Sequence, residues 1–307
     1  MIFQPYLAFN EIFAVFYIFF LHCAFCEYRG SRFIGTDIKQ LLFRANKIRN
    51  RSDLLLGAVI GTLNQNGHDK LTIVASPNIK SLGLWIEQLV AESTGKEGKG
   101  VIPVNYEPLV NPEHYGNDRL FVYLRLEGDQ NQETDDAMTN IKLDGQSLIQ
   151  INLDDKLDIG TEFFRWQFAT AVTAAIIGVH PFDQPHVDLT KSETEEILQS
   201  GKLPDINTDT SLREMLDKSV PGDYLAIMAY LQPNQDIELA ISKLRKRVVE
   251  KYQVATTFGY GPRFLHSTGQ MHKGGPSSGM FLQLTSEADV DLPIPDQAYS
   301  FSTLLDA

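Results

Sequence analysis

Residues 70–104, KLTIVASPNIKSLGLWIEQLVAESTGKEGKGVIPV, decide the fold. KLTIVA is a short apolar run with three β-branched residues in succession and reads as a buried strand. Ser76, Pro77 and Asn78 interrupt it, and apolar residues then recur at helical spacing from about Asn78 to Glu92. Gly95, Gly98 and Gly100 end that helix, and residues 101–104 form a second strand. Strand, helix and strand at this length specify a parallel βαβ unit. Sheets of this kind are covered by helices on both faces, and ligands are expected beyond the C-terminal ends of their strands.

The pattern extends in both directions. Upstream, residues 37–48 and 53–64 read as helices, followed by an Asn66-Gly67 turn. Downstream, residues 120–126 (LFVYLRL) and 148–153 (LIQINL) read as strands, and the acidic segment 129–136 opens a solvated helix. Residues 161–179 form the longest helix. After a polar stretch at about 199–210 the alternation resumes with a strand at 223–231, a helix at 236–252, and strands at 254–258 and 279–285. Another helix begins at Gln297 and is cut off by the C-terminus. The expected fold is α/β, an open, mostly parallel sheet flanked by helices, with a second α/β segment after about residue 210. The expected organisation is an atypical apolar segment at 1–36, an α/β domain at 37–200 and an incomplete α/β segment at 211–307.

Composition narrows the function. The 307 residues carry 27 Lys+Arg against 39 Asp+Glu, a formal net charge of −12 that argues against a nucleic-acid partner. Apolar residues at 43% and charged residues at 21% place the chain among globular proteins rather than disordered ones. Its two cysteines, Cys23 and Cys26, form a lone CxxC without a second ligand pair, so they read as coincidence and not as zinc or redox chemistry. They end the apolar run IFAVFYIFFLHCAFC at residues 12–26. Fifteen residues fall short of the ~20 needed to span a bilayer. No basic residue precedes the run, and no small-x-small cleavage site follows it. A buried or mis-started N-terminus is the first reading, with a signal, an anchor or an interfacial helix as alternatives.

Three segments concentrate the chemistry. ESTGKEGKG at residues 92–100 places Glu92 at a helix end, where partial desolvation raises a carboxylate toward the range useful for proton transfer. Lys96 and Lys99 lie within reach of an anionic ligand, although the same spacing also suits a plain C-cap at Gly95. PFDQPHVDLTK at 181–191 joins two helices, and its two prolines hold Asp183 and Gln184 with little entropy left to lose on binding. Lys191 follows, and an ordinary interhelical turn with a surface lysine is the competing reading. The third segment, GYGPRFLHSTGQMHKGG at 259–275, crowds Arg263, His266, His272 and Lys273 among glycines after a strand. Such a loop lets backbone approach a ligand closely, and Arg with Lys suits a phosphate or an enediolate oxygen. No carboxylate ligand lies beside His266 or His272, which argues against metal there. His68 and His114 read as surface histidines. Walker, GxSxG, HExxH and paired CxxC motifs are all absent from the sequence.

Together these segments resemble the glucose-6-phosphate isomerase family. ESTGK is similar to its E-S-x-G-K element, and PFDQPHVDLTK to its F-D-Q-x-x-V-[DE]-x-x-K signature. Residues 255–285 resemble the isomerase portion of bifunctional transaldolase/glucose-6-phosphate isomerase proteins, and the likeness runs from about residue 37 to 305. It implies a sugar-isomerase, flavodoxin-like three-layer fold in a cytoplasmic glycolytic and gluconeogenic enzyme acting on a phosphorylated hexose without cofactor or metal. A homodimer, or a partner supplying a missing N-terminal half, is also implied.

The roles it implies are Glu92 as the isomerising base, Lys191 in ring opening and in binding charged oxygens, and Gln184 as a sugar contact. Ser93, Thr94, Lys96, Arg263 and Lys273 would complete the binding set. The ring-opening histidine is left between His266, which has the family's local chemistry, and His114, which has its chain position. The family's phosphate cradle and its earlier sugar-isomerase subdomain have no counterpart before residue 37, so the chain is expected to be truncated at both ends. A sugar-phosphate-binding or subunit-interaction fragment without turnover is the alternative, and a membrane-attached relic a third.

Overall fold

The computed structural model describes residues 37–47, 52–183, 185–201, 210–261, 263–265, 267–286 and 290–306. The apolar run with Cys23 and Cys26, and also Gln184 and His266, lie outside the described residues. The chain begins with α1 (Ile38–Lys47), α2 (Ser52–Gln65), β1 (Lys70–Ala75), α3 (Leu82–Thr94), β2 (Ile102–Asn105) and β3 (Arg119–Leu126). There follow α4 (Gln132–Leu143), β4 (Ser147–Leu153), α5 (Ile159–Ile177), α6 (Pro185–Ser200) and α7 (Leu212–Asp217). It continues with β5 (Tyr224–Tyr230), α8 (Gln235–Tyr252), β6 (Ala255–Tyr260), α9 (Ser267–Gly274), β7 (Gly279–Thr285) and α10 (Phe301–Asp306).

The strands form two sheets, ordered β2-β1-β3-β4 and β6-β5-β7. Every pairing within them is parallel, as the βαβ reading of residues 70–104 requires. In the first sheet Lys70 stands opposite both Ile102 and Arg119. Strand β3 shows why LFVYLRL is almost continuously apolar: both of its faces are covered. Leu120, Val122, Leu124 and Leu126 join a core built with Leu56 and Ile60 of α2, Ile86 and Val90 of α3, and Trp166 of α5. Phe121 and Tyr123, on the opposite face, pack against Met138 and Ile141 of α4 and Val249 of α8. Complete burial of a side chain such as Phe121 contributes about 1.5–3 kcal/mol.

Helix α2 lies close against α5. A Cβ on Gly57 would come within 2.4 Å of the Ala169 carbonyl oxygen, and the Thr173 hydroxyl donates to the Gly57 carbonyl at 3.0 Å. Helix α5 ends at Gly178, whose φ of 77° gives the left-handed cap that glycine adopts without strain.

A buried polar joint connects the two sheets. Glu107, just beyond β2, forms an ion pair with Arg119 at 2.9 Å, accepts from Arg119 Nη2 at 3.3 Å, and accepts from the backbone N–H and hydroxyl of Thr256 at 2.7 and 2.9 Å. Arg245 of α8 donates to the carbonyls of Asn105, Tyr106 and Thr256 at 2.8–2.9 Å. The sequence pattern does not reveal this joint, because its contacts from one sheet to the other span 139 to 149 residues.

The structure changes two local expectations. The third motif segment is not an open loop: it contains a short 3-10 helix at Arg263–Leu265 and then α9. The joint expected across 181–191 ends early, because α6 starts at Pro185, whose fixed φ suits a first helical turn. No helix among the described residues is long and apolar enough to cross a membrane.

Candidate functional site

In a parallel sheet each helix runs back antiparallel to the strand before it, so helices end where strands begin. The ends of α3, α5 and α9 therefore lie at the edge where the strands start, opposite to the strand C-termini where ligands are expected. This brings the three motif segments together although they are separated in sequence.

The first segment folds into a minimal hairpin. Lys96 and Lys99 pair as an antiparallel bridge, with backbone hydrogen bonds of 3.0 and 2.9 Å, around Glu97 and Gly98 at φ 56° and 72°. Positive φ at both central residues is the geometry of a two-residue hairpin turn, which explains a glycine at 98. The hairpin closes onto the second segment through Lys96, whose side chain is 3% exposed. Its ammonium donates to the His180 carbonyl at 2.6 Å and meets the Asp183 carboxylate at 2.9 Å. Desolvation opposes ionisation of Asp183, but Lys96 and His180 together hold its pKa below the ordinary carboxylate value. Lys99 donates to the Ile177 carbonyl at 3.1 Å, placing a cation at the negative end of α5.

The third segment closes the junction. Gln270, 1% exposed, donates from Nε2 to the Gly95 carbonyl at 2.8 Å and lies 3.0 Å from Nδ1 of His186. Its Oε1 accepts from the His186 backbone N–H at 3.3 Å. The Gly98 N–H donates to the Gly274 carbonyl at 3.0 Å, and Lys273 donates to the Thr190 hydroxyl at 2.6 Å. Contact is close enough to need glycine: a Cβ on Gly95 would lie 2.4 Å from the Met271 Cα, and one on Gly274 would lie 2.6 Å from the Gly95 carbonyl oxygen.

The remaining motif residues are distributed around this junction. Glu92 lies in the last turn of α3, where its carboxylate accepts from Gln88 at 3.1 Å. Ser93 is half-buried beside it. The buried Thr94 hydroxyl donates to the Val90 carbonyl at 2.7 Å and accepts from the Val101 N–H at 3.0 Å. Lys191 is exposed on α6, one residue beyond the Thr190 that Lys273 contacts. Arg263 turns toward α3, donating to the Leu84 carbonyl at 3.2 Å and lying 3.6 Å from Glu87, whose pKa burial raises. His114 sits beside Glu113 in a short 3-10 turn, and none of the contacts above involves it. The ammonium of Lys96 and the guanidinium of Arg263 are thus engaged by protein groups, which local spacing could not show. The same spacing missed Gln270 and His186 as linking residues. Their only signal was membership of the quoted motifs.

A cleft of about 870 Å³ opens at the same edge, with Gly98–Gly100 of the hairpin loop in one wall. Asp69, Asp118 and Asp223 also line it. Lys70, fully buried, contacts both Asp69 and Asp118, so the cleft retains a negative balance that disfavours a phosphate inside it. Among its walls, His68 Nδ1 and Asp118 Oδ1 are buried atoms without a hydrogen-bond partner among the described residues.

No family model matches the chain. Among curated proteins, residues of this chain are 26% identical over 215 positions to a protein of Methanococcus maripaludis named "Probable glucose-6-phosphate isomerase", covering 56% of this chain and 49% of that one. A glucose-6-phosphate isomerase of Enterococcus faecalis is 23% identical over 232 residues, covering 58% of this chain and 50% of the relative. The chain thus spans about half the length of these curated relatives. Among solved structures, a hypothetical protein from Thermus thermophilus aligns with a TM-score of 0.47 at 18% identity, covering 53% of this chain and 51% of that one. The resemblance read from the motifs is borne out at this level: in sequence, the chain is similar to glucose-6-phosphate isomerases.

Proposed function

We propose that this chain forms the proton-transfer part of a sugar-phosphate isomerase that interconverts glucose 6-phosphate and fructose 6-phosphate. One observation carries the reading: three segments, each weak alone, meet in one junction held by Lys96–Asp183, Gln270–Gly95 and Lys273–Thr190 contacts. In this reading Glu92 takes the proton from C2 of the open-chain aldose. The C–H electron pair forms the C1–C2 double bond while the C1 carbonyl π pair moves onto its oxygen, which gains a proton; the cis-enediol then takes the proton back at C1 from Glu92 as the C2 hydroxyl gives up its own proton and becomes the ketose carbonyl. Lys191, the residue after Thr190, and Lys273, which donates to the Thr190 hydroxyl, supply positive charge for the enediolate and the phosphate. Lys96 acts at one remove, by holding the segment that carries Gln184. The proposal extends to the link with transaldolase/isomerase proteins that residues 255–285 suggest.

A second reading has its own support. Lys96 and Arg263 are occupied by protein partners, which leaves fewer cations for substrate and favours a unit that binds sugar phosphate without turnover. A coupled assay for glucose 6-phosphate formation separates the two. Glu92→Gln is expected to abolish isomerisation while fructose 6-phosphate binding persists. Full activity in that variant removes Glu92 from the mechanism, and binding without turnover in the parent chain selects the second reading.

A further inference from the structure

Gln270 does more than fill space in the junction, because its neighbours fix the orientation of its amide. Gly95 offers a carbonyl oxygen, which only accepts, so the Gln270 atom 2.8 Å from it must be the NH₂ nitrogen. The His186 backbone N–H only donates, so the atom 3.3 Å from it must be the amide oxygen. Two backbone groups on different segments therefore agree on one orientation. The same NH₂ lies 3.0 Å from Nδ1 of His186, and with one hydrogen committed to Gly95 it directs the other at the ring. Nδ1 must then present a lone pair, which puts the ring proton on Nε2. His186 is half-buried, and its Nε2 forms no hydrogen bond among the described residues.

We infer that His186 is a specificity-determining residue of the proposed site, locked by Gln270 as the Nε2–H tautomer so that it donates a hydrogen bond to an uncharged or anionic oxygen of the sugar phosphate. This rests on the isomerase reading for the identity of the ligand, but the tautomer itself does not. The same lock excludes His186 as a base at Nε2, because that atom carries the proton. The segment containing Gln184 and Lys191 would thus contribute a neutral donor that none of the motif comparisons singles out. Gln270 is its positioning residue, acting through the ring and not on the substrate.

Two measurements test this on the full chain. Long-range ¹H–¹⁵N spectra of the histidine rings report the tautomer directly. His186, assigned by its loss in His186→Asn, is expected as Nε2–H, and Gln270→Glu is expected to abolish that form because a carboxylate offers Nδ1 no donor. Fructose 6-phosphate titration reads the second half. His186→Asn keeps a group at the Nδ1 position but lacks the distal donor, and its KM, or its Kd if turnover is absent, should rise roughly 3- to 10-fold with kcat little changed. His186→Gln, which replaces the distal N–H, should recover most of that loss. An Nδ1–H ring in the parent chain overturns the lock, and unchanged affinity in His186→Asn overturns the donor role. If Glu92→Gln leaves isomerisation intact while His186 remains Nε2–H and its variants weaken binding, the mechanism assigned to Glu92 fails and this inference stands.

Discussion

Removal of Glu107 should be among the most damaging single changes in the molecule. Its side chain is 1% exposed and faces Arg119, which is fully buried, at 2.9 Å. Thr256 donates twice to the same carboxylate. Arg245 is also close, its pKa drawn down to about 10 by burial, with Glu107 the strongest of the charges opposing that shift. Glu107→Ala leaves the Arg119 charge and the Thr256 N–H without their acceptor in a site that water does not reach. Breaking one side of such a pair costs about 3–5 kcal/mol, a large part of the roughly 5–15 kcal/mol that stabilises a domain. Glu107→Ala/Arg119→Met removes both charges and should be more stable than the sum of the two single changes by about 1–3 kcal/mol. Recovery will be incomplete, because Arg245 and Thr256 still lose their carboxylate. Urea unfolding followed by far-UV circular dichroism measures all four species. A single-variant cost below about 1 kcal/mol, or strict additivity in the cycle, would show that the joint contributes nothing specific.

Lys96→Met keeps the buried stem but releases the His180 carbonyl and Asp183. Since Asp183 is 57% exposed, the ion pair itself contributes little. The global loss should be about 1–2 kcal/mol, with faster amide exchange in residues 178–183 as the specific sign and unchanged exchange as the refutation. Gly95→Ala meets backbone at 2.4 Å, whereas Gly98→Ala has open space around it and only its φ of 72° to oppose it. Thermal melts should therefore rank Gly95→Ala as the more damaging, and the reverse order would sink the close-contact argument. Glu162, between α5 and α2, has its pKa raised to about 7 from 4.5, chiefly by burial and against the pull of Arg165. The native state then binds a proton that the unfolded chain has released, so stability present below pH 4.5 is lost as pH rises through about 7. Glu162→Gln should flatten that decline, gaining at most about 3 kcal/mol over the parent at high pH, and parallel stability–pH curves would contradict it.

Much of the architecture was legible because it depends on local periodicity. The run at residues 120–126 is apolar on both faces because both are covered, and Gly178 stops the longest helix where its left-handed φ requires. Less of the candidate site was legible. Its segments could be recognised, but Lys96 and Arg263 looked like free cations until their partners appeared. Those partners, His180 with Asp183 and Leu84 with Glu87, lie 84 to 179 residues away, beyond any local pattern.

Residue order alone sets the strand–helix alternation, the parallel class of the sheet and the three motifs with their likeness to glucose-6-phosphate isomerases. Side-chain period and turn chemistry act over a few residues, so they can be read from order alone. Three-dimensional packing set the pairing of the described strands into two sheets joined through Glu107, Arg119 and Arg245, and the meeting of the motifs at the edge where strands begin. It also decided which polar atoms each motif has left. That outcome follows from helices running back against their strands, which places distant segments within hydrogen-bond reach and commits some of their charges to one another.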